Sequence, residues 1–192
     1  MPRPPHFSDS DLLAAAGRLI AAGGPSAATV GAIAGEAGAP SGSLYHRFAS
    51  RDELLARLWL DCVECFQAGI LEALKRGDGL AAALHTPRWC RLEPAAAQIL
   101  LLHRRDELVA AELPPSVAAR VLHVNDAGRA ALKHWTKLNV DSRANALAQA
   151  RYALVEAPVA AVRPHLQKGE PPPAFVDDLV AATYRVVISK EG

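Results

Sequence analysis

The 192-residue chain is short of aromatic residues, of net charge and of long apolar runs, and each shortage narrows what it can be. Phe, Trp and Tyr make up 5% of it, and no stretch alternates apolar and polar residues convincingly, so a β-sandwich or barrel is disfavoured. The 21 Lys and Arg against 20 Asp and Glu leave a net charge of +1, with seven His uncounted. That is not the bulk positive charge of a histone-like or polybasic protein, and a nucleic-acid contact would have to come from a local patch. Three Cys, an odd number, build no disulfide framework and read as reduced thiols in a cytoplasmic protein. The opening residues lack the apolar run of a signal peptide. The longest strongly apolar stretch, Ile99–Leu102, is far below the ~20 residues of a membrane span, so no membrane partner is expected. No nucleophile elbow, phosphate loop or paired-carboxylate arrangement is present, and the chain is expected to be no enzyme and to need no cofactor.

What the chain does have is an apolar content of 51%, with Ala roughly a fifth of all residues. That composition favours a helix-rich globular protein over disorder. The length allows one domain, or a small domain fused to a larger one.

Residues 8–23 read as a first helix. Ser8 caps it with Asp11 three residues on, and Leu12, Leu13, Ala16, Leu19 and Ile20 share a face. Gly23-Gly24-Pro25 stops it. Thr29 caps a second, short helix with Val30, Ile33, Ala34 and Ala37 inward and Gly38 at its end. A third runs from Pro40 or Ser41 to Phe48, where Leu44 and Phe48 form an apolar i, i+4 pair. Ser50-Arg51-Asp52-Glu53 is a capping box that opens a fourth helix reaching about Lys75. Beyond it the pattern predicts a short helix over 79–85 interrupted at Thr86-Pro87, an apolar helix over 94–110, and a break at Leu113-Pro114-Pro115. A long helix over 116–138 follows, then one from an Asp141 or Ser142 cap to about Ala157-Pro158. Turns are expected at Arg163-Pro164 and over 169–173, before a final amphipathic helix on Phe175, Leu179, Ala182 and Val186. The fold class is all-α.

Residues 29–48 thus read as helix, Gly-containing tight turn, helix. This is the helix-turn-helix arrangement, in which the second helix enters the major groove. Ser41, Gly42 and Ser43 are small residues at a helix start, where free amides favour a phosphate. Tyr45, His46, Arg47 and Arg51 bring hydroxyl, imidazole and guanidinium donors together, and Thr29 places a second helix start nearby. Residues 1–57 hold five Lys/Arg and five Asp/Glu, yet residues 40–51 carry Arg47 and Arg51 and no acid, which focuses the charge. Gly31 and Gly35 each weaken the second helix by about 1 kcal/mol relative to Ala, so packing must hold it.

From Thr29-Val30 through Ile33-Ala34, Ala37-Gly38-Ala39-Pro40-Ser41-Gly42-Ser43-Leu44-Tyr45-His46-Arg47-Phe48, and on to Ser50-Arg51-Asp52 and Leu54-Leu55, the sequence resembles the DNA-binding signature of the TetR family of bacterial transcriptional repressors. It departs in having Pro40 where Ser is common, Arg47 where His is common and Arg51 where Lys is common. The resemblance covers roughly residues 8–57. It implies an N-terminal three-helix helix-turn-helix domain, residues 1–49, and a C-terminal helical ligand-binding and dimerisation domain, residues 50–192. It also implies a DNA site of Thr29, Pro40, Ser41, Gly42, Ser43, Tyr45, His46, Arg47 and Arg51 on a double-stranded operator, with ligand and DNA competing through a pendulum-like shift of the reading heads.

In the effector region Trp59, Cys62, Phe66, Trp89, His103, His123 and Trp135 stand as polar or aromatic residues on otherwise apolar faces, the mixture a small-molecule pocket uses. Core or surface packing is the plain alternative for each. Cys62-x-x-Cys65, with Cys90, His85 or His103 as further ligands, would make a thiol- or metal-sensing repressor, but free Cys is ordinarily a small buried hydrophobe and no metal site is expected. A palindromic operator read by two heads requires a two-fold homodimer. Ala144, Leu147, Ala148, Tyr152 and Val155, with Phe175, Leu179, Val180, Ala182, Val186 and Val187, are the expected interface. An interaction protein on the same scaffold, without operator binding, is the other alternative.

Overall fold

The computed structural model describes residues 7–40, 42–140 and 144–188, and every regular element among them is helical. The chain divides into two compact units: Met1–Cys62 with Gln98–His123, and Val63–Ala97 with Val124–Gly192.

The first unit begins with α1 (Asp9–Gly23), a 3₁₀ turn (Pro25–Ala27), α2 (Val30–Glu36) and α3 (Gly42–Tyr45), which together form the head. Then comes α4 (Arg51–Lys75), which starts in the first unit and ends in the second. Local chemistry sets these elements. The Ser8 hydroxyl accepts from the Asp11 amide while the Asp11 carboxylate accepts from the Ser8 amide and hydroxyl, and the two bonds to the carboxylate hold it below its ordinary pKa. Thr29 accepts from the Ala32 amide and Ser50 from the Glu53 amide. Leu12, Ala16, Ile20, Ile33, Leu44 and Phe48 are buried as their spacing predicts. The third helix is shorter than expected: only Gly42–Tyr45 is regular, and turns carry the chain to Phe48.

The expected apolar helix over 94–110 is two. α6 (Pro94–Leu102) stops where the apolar run ends, and α7 (Arg105–Leu108) restarts after an extended Arg104 whose amide donates to Glu107. The expected long helix over 116–138 also divides, into α8 (Pro115–His123) and α9 (Asp126–Asn139). Asn125, a residue that favours turns and caps, breaks it and accepts a hydrogen bond from Gln67.

In the second unit α5 (Gly79–Leu92) runs unbroken through Thr86-Pro87, against expectation. Pro87 removes an amide and crowds a carbonyl at a cost of about 3 kcal/mol, but α5 packs on α11 (Ala157–Leu166) and α12 (Phe175–Ile188), and Thr86 and Pro87 are buried there. Arg91 on α5 donates to the Pro172 and Pro173 carbonyls and pairs with Asp177. The helix expected to end near Pro158 continues as well. α10 (Ala146–Arg151) passes through a π-turn (Tyr152–Glu156) into α11. The π-turn lets the Ala157 amide reach Tyr152 and loosens the coil where the Pro158 ring would otherwise press on a carbonyl. Pro164 is likewise inside α11 rather than at a turn, one turn short of its end. The Asp141 and Ser142 caps lie outside the described residues; α10 follows Asn145, which is left-handed at φ 70°.

Candidate nucleic-acid interface

The turn between α2 and α3 sets the angle of the reading helix. Gly38 has φ 65°, a left-handed conformation that a side chain would strain. Around it the Ala39 amide reaches back to the Ala34 carbonyl and the Gly38 amide to Gly35, a paired C-terminal lock that uses up the last carbonyls of α2. Leu44 and Phe48 then anchor the next segment in the core. With one side of α3 pinned, Tyr45 stands out 61% exposed beside the exposed His46, and Thr29, Pro40 and Gly42 are exposed too. Ser43 is half-buried. Ser41 lies outside the described residues.

The two arginines behave differently. Arg47 donates to the Asp9 carboxylate at 2.5 Å and to the Phe7 carbonyl at 2.6 Å, closing the start of α1 onto the end of α3. Arg51 donates to the Ala28 and Pro25 carbonyls at 2.7 and 2.6 Å, which fixes the loop in front of Thr29. Both are part-buried and tie segments of the chain together. Two further residues, Asp9 and Arg57, shape the site and carry no motif of their own. Arg57 stacks 5.2 Å from the Phe48 ring and pairs with Glu53, whose carboxylate also accepts from the Ala49 amide at 2.7 Å. The Asp9 link spans 38 residues, so no short pattern announces it, whereas the Glu53–Arg57 pair has the i, i+4 spacing of a helix.

The seven residues expected at a ligand site are divided between the two units. In the first unit Trp59 and Cys62 are buried, His103 sits 3.4 Å from Glu107, and His123 is exposed. In the second unit Phe66 packs on Trp89 at 5.0 Å, and the Trp89 indole donates to Cys65. Trp135 is buried over Gly79 and donates to the Gly77 carbonyl at 3.0 Å. His85 lies against Gly69, and burial holds its imidazole below its ordinary pKa. None of the three Cys is in a disulfide, and burial pushes the Cys90 thiol up to about 12. Among the described residues no three His, Cys, Asp or Glu gather as a metal-binding group, and no helix is long and apolar enough to cross a membrane.

Residues 12–58 match the family model of the bacterial regulatory proteins of the tetR family. Solved structures share the fold along nearly the whole chain. The fatty acid degradation regulator FadR from Bacillus halodurans is 15% identical with a TM-score of 0.70, over 96% of this chain and 100% of that one. A tetR-family transcription regulator from Shewanella sp. PV-4 is 18% identical, with a TM-score of 0.68 over 95% and 97%. FadR from Bacillus subtilis, solved in complex with stearoyl-CoA, is 14% identical, with a TM-score of 0.69 over 95% and 98%. No curated protein sequence matches the chain. The helix-turn-helix frame locked at Gly38 thus falls within residues 12–58, the stretch similar to the tetR family of bacterial regulatory proteins, and the all-α fold is shared with the solved regulators along nearly the whole chain.

Proposed function

We propose that the chain is a ligand-responsive transcriptional regulator of repressor type, which binds a palindromic operator as a homodimer in the cytoplasm. The observation that carries the reading is the two-sidedness of the α3 segment, with Leu44 and Phe48 buried and Tyr45 and His46 presented to solvent. In this reading Tyr45 and His46 touch bases or phosphates, with Thr29, Pro40, Ser41, Gly42 and Ser43 around them and Arg47 and Arg51 supporting from behind. The division of labour is between residues 1–49, which read DNA, and residues 50–192, which bind ligand and dimerise.

The dimer has its own support. Ala144, Leu147, Ala148, Tyr152, Phe175, Leu179, Ala182 and Val186 are all exposed, with Leu179 at 54% and Val186 at 83%. Apolar side chains in such a row suit a two-fold partner. Val180, grouped with them by sequence, turns inward at 2% exposure. Genomic footprinting followed by gel shift on the recovered site, with the mass in solution measured in parallel, tests the proposal. A dimeric wild type that shifts a palindrome, and a Leu179→Asp variant that is monomeric and fails to shift it, are expected. A monomer that retains full operator binding would overturn the dimeric reading.

One observation favours a second reading, an interaction protein that does not bind an operator. Every arginine between residues 7 and 58, Arg18, Arg47, Arg51 and Arg57, is bonded within that stretch. Salt separates the two readings: phosphate contacts lose affinity steeply as salt rises, whereas apolar protein contacts do not.

A further inference from the structure

Most charged groups on the segment from His103 to Arg120 have partners. Arg104 grips Asp106 at two points, 3.0 and 2.6 Å, His103 lies 3.4 Å from Glu107, and Arg120 lies 4.0 Å from Asp61. Arg105 stands apart. Among the described residues it meets no carboxylate, and its guanidinium rests 5.7 Å from the centre of the buried Trp59 ring. Stacking uses the face of a guanidinium and leaves the N–H groups at its edge to donate elsewhere.

Arg104, Arg105 and Asp106 border an open pocket of about 780 Å³, inside the first unit. Small-molecule sites typically span roughly 300–1,000 Å³. Away from the arginines its wall is apolar: Val109, Leu113, Ala118, Val121 and Leu122. Leu122 is 67% exposed, a large apolar side chain left in water. Arg104 and Asp106 both line the pocket and neutralise each other, so its unbalanced charge is the single positive charge of Arg105. One free guanidinium matches a monoanion better than a phosphate monoester, which carries about −1.5 to −2 at neutral pH.

We infer that this pocket binds a single-chain amphiphile with one anionic head, of which a long-chain fatty carboxylate is the simplest member. Arg105 receives the carboxylate, and Val121 and Leu122 lie along the chain. The regulatory consequence rests on the function proposed above. The chain just before the pocket approaches the head: a Cβ at Gly17 of α1 would lie 3.6 Å from Ile99 of α6, and one at Gly24 3.9 Å from His103. A carboxylate held at Arg105 sits beside Trp59 of α4, whose first residue, Arg51, holds the loop in front of α2.

Titration calorimetry on the full chain, with intrinsic Trp fluorescence alongside, tests this with sodium laurate, dodecanol and acetate as probes. Saturable laurate binding is expected, with dodecanol and acetate at least tenfold weaker. Arg105→Gln should weaken laurate about tenfold, or ~1.4 kcal/mol, and leave dodecanol unchanged; Arg105→Lys should restore most of the loss. Leu122→Ser should weaken laurate as well. Equal affinity for laurate and dodecanol, or laurate binding unmoved by Arg105→Gln, would overturn the inference. Operator binding measured on the same samples separates the two claims. Operator binding without laurate binding defeats this inference alone, while laurate binding without operator binding defeats the regulator reading and leaves the pocket assigned.

Discussion

In the head, Ser8, Thr29 and Ser50 each stand in front of the helix they cap, and Gly38 stands at the one left-handed position the turn requires. In the second unit Pro87, Pro158 and Pro164 sit within helical runs that their own chemistry disfavours. The two regions are built from similar residues, but different energies decide their form. Each head element is fixed by hydrogen bonds that reach three to five residues, and packing then confirms it. The α5, α11 and α12 helices are fixed by burial against one another, which outweighs local costs of about 3 kcal/mol for each interior proline. Arginine works at long range in both. Arg47 joins α3 to the start of α1, and Arg91 joins α5 to the segment before α12.

The largest effect should come from Gly79→Ala in the second unit. A Cβ there would fall 2.2 Å from the Trp135 ring and 2.7 Å from the Tyr184 hydroxyl. Overpacking of that kind should remove about 1–3 kcal/mol, read by thermal or urea unfolding. A loss below about 0.5 kcal/mol, the range of a neutral surface change, would break the claim that close packing governs this unit. In the head, Arg47→Met should cost about 2 kcal/mol of stability by taking two charge-assisted hydrogen bonds from the head. Should it instead melt like the wild type and lose only operator binding, Arg47 is a contact and the proposed supporting role falls. Tyr45→Ala should do the converse, weakening operator binding about tenfold, or ~1.4 kcal/mol, with melting unchanged.

His85 offers a pH test of burial in the second unit. Desolvation lowers its pKa in the folded chain, against a hydrogen bond with the Phe66 backbone that raises it. The unfolded chain therefore takes up the proton first. Stability is full above the ordinary imidazole range, about 6.5, and falls as pH drops through it. His85→Gln should flatten that slope; an unchanged slope would place the titration elsewhere. The smallest effect is a gain. Gly31→Ala, in open space on α2, should add about 0.5–1 kcal/mol. A loss would show that the head's helices depend on more than local propensity.

Much of the head was legible because its signals are short-range. Ser8 and Asp11, Thr29, Gly38, and the Leu44–Phe48 pair can all be read without knowing what lies opposite them. The second unit resisted reading because a proline signals a break locally, and only the neighbours of α5 and α11 show that the break is overridden. The reading surface is divided in the same way. Tyr45 and His46 follow from helical spacing once Leu44 and Phe48 are placed inside. Arg47 and Arg51, where charge was expected to concentrate, are bonded to groups elsewhere in the chain, Asp9 and Phe7 for Arg47 and the Ala28 and Pro25 carbonyls for Arg51. Trp135, a candidate ligand contact by its type, is buried with its indole N–H bonded to the Gly77 carbonyl, a partner that spacing does not reveal.

The sequence by itself determined the helical class, the helix-turn-helix frame and the apolar residues that hold it, because capping and turn chemistry act over three to five residues. Only the tertiary structure decided which charges are free. Arg47 finds Asp9 and Phe7, 38 and 40 residues away, while Arg105 finds Trp59 and no carboxylate among the described residues. Electrostatic pairing depends on distance in space, which spacing along the chain does not record.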